Sequence, residues 1–172
     1  MAANSIARKV LSLALSGMLL AAAGFSRAEE ANCGIGAWII DTDPEGTNVR
    51  DQPRPGSKIV ARLVRPRSEA STPIEVYVVG YASGWLKVGI ARSVRGETLF
   101  NGIGWIHASL IATGTRNFET EPRLLAELRS DARQVGAAPV GAQLPITGWT
   151  CGYVRVTHQG ASGCLRAGNV CG

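Results

Sequence analysis

Val79-Gly80-Tyr81-Ala82-Ser83-Gly84-Trp85-Leu86-Lys87-Val88 lines up without a gap on Thr147-Gly148-Trp149-Thr150-Cys151-Gly152-Tyr153-Val154-Arg155-Val156. Two glycines recur at one interval, an aromatic follows each second glycine, and an apolar, a basic and an apolar residue follow each aromatic. Glycine permits the sharp reversal, and the alternation behind it is the period-two pattern of a strand with one buried face. The stretch predicts a strand entered from a tight turn, and its recurrence predicts a duplicated unit.

The match extends outward. Val60 lies eleven residues after Val49, as Val135 lies eleven after Leu124, and Gly104-Trp105-Ile106 has a counterpart in Gly163-Cys164-Leu165. The first copy is longer by stretches around 64–75 and 89–102, and such insertions are expected in loops. Two repeats are too few for a solenoid, so the expectation is two small domains: 29–112, then a polar Thr- and Glu-containing linker over 113–122, then 123–172. Short alternating segments such as 74–78 and 154–156, punctuated by Gly and Pro, make the chain all-β. The one helical hint, Leu124, Leu125 and Leu128 within 121–133, yields to the repeat, which puts Leu124 where Val49 stands. That segment is therefore read as a strand followed by an irregular loop.

The first residues indicate export. Arg8 and Lys9 precede an apolar stretch over 10–25, and Ser26-Arg27-Ala28 offers the small residues of a cleavage site. The stretch is short for a membrane span. The expectation is a signal peptide at 1–28, a periplasmic or secreted product and no integral membrane segment after cleavage. Removing Arg8, Lys9 and Arg27 leaves fifteen basic against thirteen acidic side chains, a balance that does not mark a nucleic-acid binder. Arg50, Arg54, Lys58, Arg62, Arg65 and Arg67 make a locally basic stretch. It reads as a solvated loop and strand edge, or as a contact for an anionic partner.

Cys33, Cys151, Cys164 and Cys171 are even in number and lie beyond the expected cleavage site, as disulfides in an oxidising compartment require. Their spacing does not match zinc-ligand pairs, and His158 is the only histidine among the last three, so no metal and no cofactor are expected. Four cysteines allow three connectivities. A Cys151 bridge to Cys164 or Cys171 would staple the smaller second domain, the remaining cysteine tying Cys33 to the end of the chain.

Asn48-Val49-Arg50, the Pro-containing loop over 51–57, Ile59-Val60, Gly84-Trp85-Leu86-Lys87-Val88, Gly104-Trp105-Ile106-His107 and Ser109-Leu110 together resemble the bacterial Src-homology-3-like (SH3b-type) domains of exported and cell-wall proteins. The resemblance covers residues 46–112. It implies a five-stranded barrel of two curled sheets, with Val49, Val60, Val88 and Ile106 facing inward. The second copy departs from the pattern: Leu124-Leu125-Ala126 replaces Asn-Val-Arg, and Tyr153 and Cys164 replace the two tryptophans. The expectation is thus two small SH3-like five-stranded barrels in tandem, the second degenerate, smaller and disulfide-stapled. Domains of this family often serve as targeting modules on peptidoglycan hydrolases or bind peptides and proteins outside the membrane.

The candidate binding residues are Tyr77, Tyr81, Trp85, Trp105, Trp149 and Tyr153, side chains suited to stacking on sugars or lining a peptide groove, with Arg50 and Arg54. Trp85 and Trp105 also suit barrel closure, and Trp38 is expected in the core of a first strand. Catalysis finds little support. A Cys-His hydrolase needs a thiolate beside an oriented imidazole, whereas the cysteines have a use in bridges, His107 follows a strand end and His158 sits in a hairpin tip. Asp41, Asp43 and Glu45 cluster in what reads as a solvated turn rather than as glycosidase carboxylates, and no phosphate-binding glycine loop is present. Two functions remain: a non-catalytic exported binding module for peptidoglycan or an envelope protein, and an inhibitor or immunity-type protein that blocks an envelope hydrolase or toxin through loops 64–75 or 89–102.

Overall fold

The computed structural model describes residues 33–65, 72–115, 122–167 and 170–171. The expected leader at 1–28 lies outside this range, as do 66–71 and 116–121. The strands are β1 (Ile35–Ile39), β2 (Thr47–Arg50), β3 (Ile59–Leu63), β4 (Glu75–Ala82), β5 (Trp85–Arg92), β6 (Thr98–His107), β7 (Ile111–Thr115), β8 (Arg123–Leu125), β9 (Gln134–Ala137), β10 (Gln143–Thr150), β11 (Tyr153–His158), β12 (Ala161–Arg166) and β13 (Val170–Cys171), with one 3-10 turn at Ala108–Leu110. The described residues contain no α-helix.

Hydrogen bonding joins twelve strands in the order β3-β2-β6-β5-β4-β1-β7-β10-β11-β12-β8-β9, all antiparallel, with β13 added on β7. The path is open, ending at β3 and β9. On either side of the β1–β7 seam the same five-strand order occurs: β3-β2-β6-β5-β4 on one side, β9-β8-β12-β11-β10 on the other. The duplication is therefore carried in the connectivity as well as in the residues.

Atomic detail repeats too. Gly80 pairs with Lys87 and Gly148 with Arg155, each just after a bulge at the preceding residue. The Cβ that either glycine lacks would stand 3.2 Å from the Cβ of its basic partner. The first glycine of the motif thus lets the basic side chain's stem cross the sheet surface, while the second, Gly84 (φ 84) or Gly152 (φ 90), takes the left-handed turn that a Cβ disfavours. Asp51 N donates to Lys58 O and Ala126 N to Arg133 O across loops of equal length. Ala108 N donates to Gly84 O as Ala167 N does to Gly152 O. A Cβ on Gly104 would collide with Val49, and one on Gly163 would lie 2.8 Å from Leu124.

The core pairs up accordingly: Val49 with Leu124, Val78 with Ile146, Leu86 with Val154, Val88 with Val156 and Ile106 with Leu165, all buried. These belong to one continuous apolar cluster, which also takes in Ile35 and Ile39 of β1 and Ile111 of β7. Burying each such side chain stabilises by about 1.5–3 kcal/mol. A unit of about fifty residues buries little by itself, and the shared cluster supplies the missing partner surface.

Three expectations need correction. The linker expected from residue 113 begins inside β7, where Thr113, Gly114 and Thr115 are buried and pair with β10 and β13; Thr113 Oγ1 donates to Gly36 O of β1 at 3.2 Å. The insertion over 89–102 is mostly not loop, because β5 and β6 simply extend through it, leaving a turn at 93–97. Val60 is 44% exposed; it is the bulged residue of β3, left without a β2 partner between the Val49–Ala61 and Arg50–Ile59 pairs, and the bulge takes it out of the inward-facing alternation. By contrast, 123–133 is a strand and an irregular loop as read, and His158 ends the strand before the Gln159–Gly160 turn (φ 48 and 81).

Candidate functional site

Register across β3, β2, β6, β5 and β4 sets Ile59, Arg50, Trp105, Lys87 and Gly80 in one row. Their neighbours along the strands, Val49, Ile106, Leu86 and Val88, are buried. Strand alternation therefore turns the row to the outer face. Trp105 is half-buried between the two cationic residues, Ile59 is exposed at one end, and the stem of Lys87 lies over Gly80, with Cδ 3.4 Å from where a Cβ would be. An indole flanked by two cations on an open sheet can stack on a sugar or peptide plane while pairing with carboxylates.

Arg50 also braces the adjacent loop. Its Nη1 donates to Ser57 O at 2.6 Å, and the buried Ser57 hydroxyl lies 3.0 Å from both the Gln52 and Arg54 carbonyls, donating to one at a time. Arg54 itself is exposed in that loop.

The remaining candidates are scattered. Trp85 is buried, its ring edge-on to its cross-strand partner His107 at 5.3 Å and 90°; alternation with the inward Leu86 puts it on the same face of β5 as Lys87, outside the apolar core cluster. Tyr77 and Tyr81 are both 36% exposed; the Tyr77 ring lies over Gly34, where a Cβ would collide with it. Trp149 packs half-buried on the shared core, and its indole Nε1 is buried with no hydrogen-bond partner among the described residues. Tyr153 packs on Leu125, Ala132 and Cys164. Trp38, expected in the core, is half-buried on the opposite face of β1 from Ile35, Ala37 and Ile39, its ring against Gly114. Trp85 thus shares the outer face with Arg50 and Trp105, and the other candidates do not converge there. Lys87 and Ile59 join the outer row without having been singled out; the signal was present in the Leu86-Lys87-Val88 alternation, but pairing with Trp105 is a long-range fact.

The equivalent row of the second copy is Gln134, Leu125, Cys164, Arg155 and Gly148. Here loop 126–133 closes over the sheet: Ala132 and Leu128 pack on Leu125 and Cys164, and Cys164 is fully buried. The disulfide joins Cys33 to Cys151, which overturns the expected Cys151 bridge to Cys164 or Cys171. The bond crosses between the copies instead of stapling the second one. Cys164 is a free thiol, because its place in the row faces the loop and not another cysteine. Burial pushes that thiol's pKa up; Arg155 pulls it down and Glu127 adds a smaller rise.

Asp41 and Asp43 form the expected turn. Asp41 accepts from Asp43 N and Thr47 Oγ1, and Asp43 accepts from Glu45 N. Asp43 edges a hollow of about 540 Å³ whose inner wall is Ile39, Leu63 and Ile74. His107 Nδ1 lies 2.7 Å from Ser109 Oγ at the 3-10 turn. Among the described residues no three His, Cys, Asp or Glu side chains could hold a metal together, and no helix is long and apolar enough to cross a membrane.

No protein-family model matches the chain, and no curated protein matches its sequence. Among solved structures it is similar to NlpC1 from Trichomonas vaginalis, at 17% identity and a TM-score of 0.33 over 80% of this chain and 45% of that one. It is also similar to NlpC2 from the same organism, at 14% identity and a TM-score of 0.32 over 80% and 47%. The chain spans less than half the length of either.

Proposed function

We propose that this protein is an exported, non-catalytic binding module of the bacterial cell envelope, built from two SH3-like halves fused at the β1–β7 seam, and that its ligand is peptidoglycan or an envelope protein. The outer row Ile59, Arg50, Trp105 and Lys87 carries the reading. Peptidoglycan combines sugar faces with peptide carboxylates, which is the chemistry that an indole between two cations accommodates. The second copy has covered its equivalent row, so the first copy holds the contact surface.

Co-sedimentation of the oxidised protein with purified sacculi across a salt series tests this. Stacking persists when electrostatic attachment is screened. Salt-resistant binding that Trp105→Ala abolishes supports the reading, and absence of binding to sacculi and to every envelope protein in a pull-down rejects it.

One observation favours the alternative of an inhibitor or immunity-type protein. The extended β5–β6 hairpin is held by cross-strand pairs yet has Val94 at its exposed turn and Ile103 59% exposed beside the bulge. A paired hairpin bearing apolar side chains is a preorganised contact for a protein surface. A stoichiometric complex with an envelope hydrolase, lost in Val94→Asp or Ile103→Asp, is what that function requires.

A further inference from the structure

Arg123, Leu125, Ser130, Tyr153 and Arg166 ring a hollow of about 200 Å³ on the second copy. Strand register and the equal loops place them where the first copy has Asn48, Arg50, Pro55, Trp85 and His107 respectively. In the first copy Trp85 is buried against His107. In the second, the smaller Tyr153 is only half-buried and stands opposite Arg166, and a second arginine, Arg123, occupies the place of Asn48. Two arginines absent from the first copy thus meet at one hollow, over the buried Leu125.

Among the described residues their charge is uncompensated. The loop's acids, Glu127 and Asp131, are both taken by Arg129, at 2.9 and 3.0 Å, and among the described residues no carboxylate lines the hollow. Arg123 is oriented through Nε, which donates to Gln134 Oε1 at 2.9 Å, while Gln134 is itself anchored by Nε2 donating to Gly136 O at 3.1 Å. Among the described residues the terminal nitrogens of Arg123 have no partner, and neither does the Arg166 guanidinium.

We propose that this hollow is a second binding site, one that takes an oxyanion: a carboxylate or a phosphate carried next to a small apolar group. Two guanidinium forks supply paired, charge-assisted donors. The Tyr153 phenol and Ser130 hydroxyl add neutral donors, and Leu125 with the Tyr153 ring provides the apolar contact. The site lies in the other half of the chain from the Trp105 row and does not depend on what that row binds.

Amide chemical shifts of the oxidised chain, followed during titration with N-acetyl-D-alanyl-D-alanine and separately with inorganic phosphate, test it. Saturating shifts centred on Tyr153 and Arg166 are expected with at least one probe; the dipeptide identifies the source as a carboxylate, phosphate alone as a phosphate. Arg123→Gln and Arg166→Gln, both at exposed positions, each weaken binding about fivefold, whereas Arg92→Gln, which removes the same charge elsewhere, leaves it unchanged. Shifts that saturate with neither probe, or an Arg92→Gln loss equal to that of Arg123→Gln, overturn the proposal. Either result leaves the sacculus assay of Trp105 to be decided separately.

Discussion

Cys33 and Cys151 are 118 residues apart in the chain, yet their Cα atoms lie 5.0 Å apart, so one bond fastens the entry to β1 to the turn between β10 and β11. The loop it closes contains the whole first copy and the β1–β7 seam. Closing a loop of that length removes so much freedom from the unfolded chain that its loss costs about 4–5 kcal/mol in the chain-entropy account. The Cys33→Ala, Cys151→Ala double variant is expected to unfold at a clearly lower denaturant midpoint. Peptide mapping of the oxidised protein should recover the 33–151 bridge.

Cys164 is expected to resist thiol reagents in the native protein and to react fully once unfolded, because Leu128 and Ala132 cover it. Its raised pKa has a definite sign. The folded state keeps the proton to higher pH than the unfolded state, so the stabilisation is complete below the unfolded thiol's pKa of about 8.5 and is lost as pH climbs from there through the folded value. Denaturant midpoints measured across this window should fall more steeply for wild type than for Cys164→Ala.

Gly104 and Gly80 should respond unequally to alanine. A Cβ at Gly104 runs into Val49 at the centre of the core, an overpacking worth about 1–3 kcal/mol or more. At Gly80 the obstacle is the stem of Lys87 on the outer face, which gives way at a cost of about 1 kcal/mol or less. Thermal unfolding of the two variants, and of the parallel pair Gly163→Ala and Gly148→Ala, should rank the same way in both copies.

Trp85 and Trp105 separate stability from binding. Trp85→Ala removes a buried ring and should destabilise by about 3–5 kcal/mol. Trp105→Ala on the outer face should cost much less stability while removing sacculus association. Measuring unfolding and co-sedimentation on both variants distinguishes a packing tryptophan from a contact tryptophan, and a large stability loss at both would count against the outer row as a site.

The duplicated motif was legible from the residues because everything it needs is local. A glycine under a basic stem, a glycine in the left-handed turn and an apolar-basic-apolar strand are requirements that neighbours in sequence impose on one another. The same logic showed that 123–133 is strand and loop although its leucines are spaced for a helix.

Pairings between distant strands were not legible. Four cysteines permit three connectivities, and which two meet depends on β1 lying between β4 and β7, beside the second copy's hairpin. Thr113, Gly114 and Thr115 read as linker because they are small and polar; β7 buries them because β10 and β13 pair with their backbone and the Trp38 ring uses the space left at Gly114. Likewise Lys87 joined Trp105, and Arg123 joined Arg166, only through register. Alternation and turn chemistry act over a few residues and so can be read along the chain. Strand order, the shared core and the assembly of each surface depend on which segments come together across it, and that choice belongs to tertiary packing.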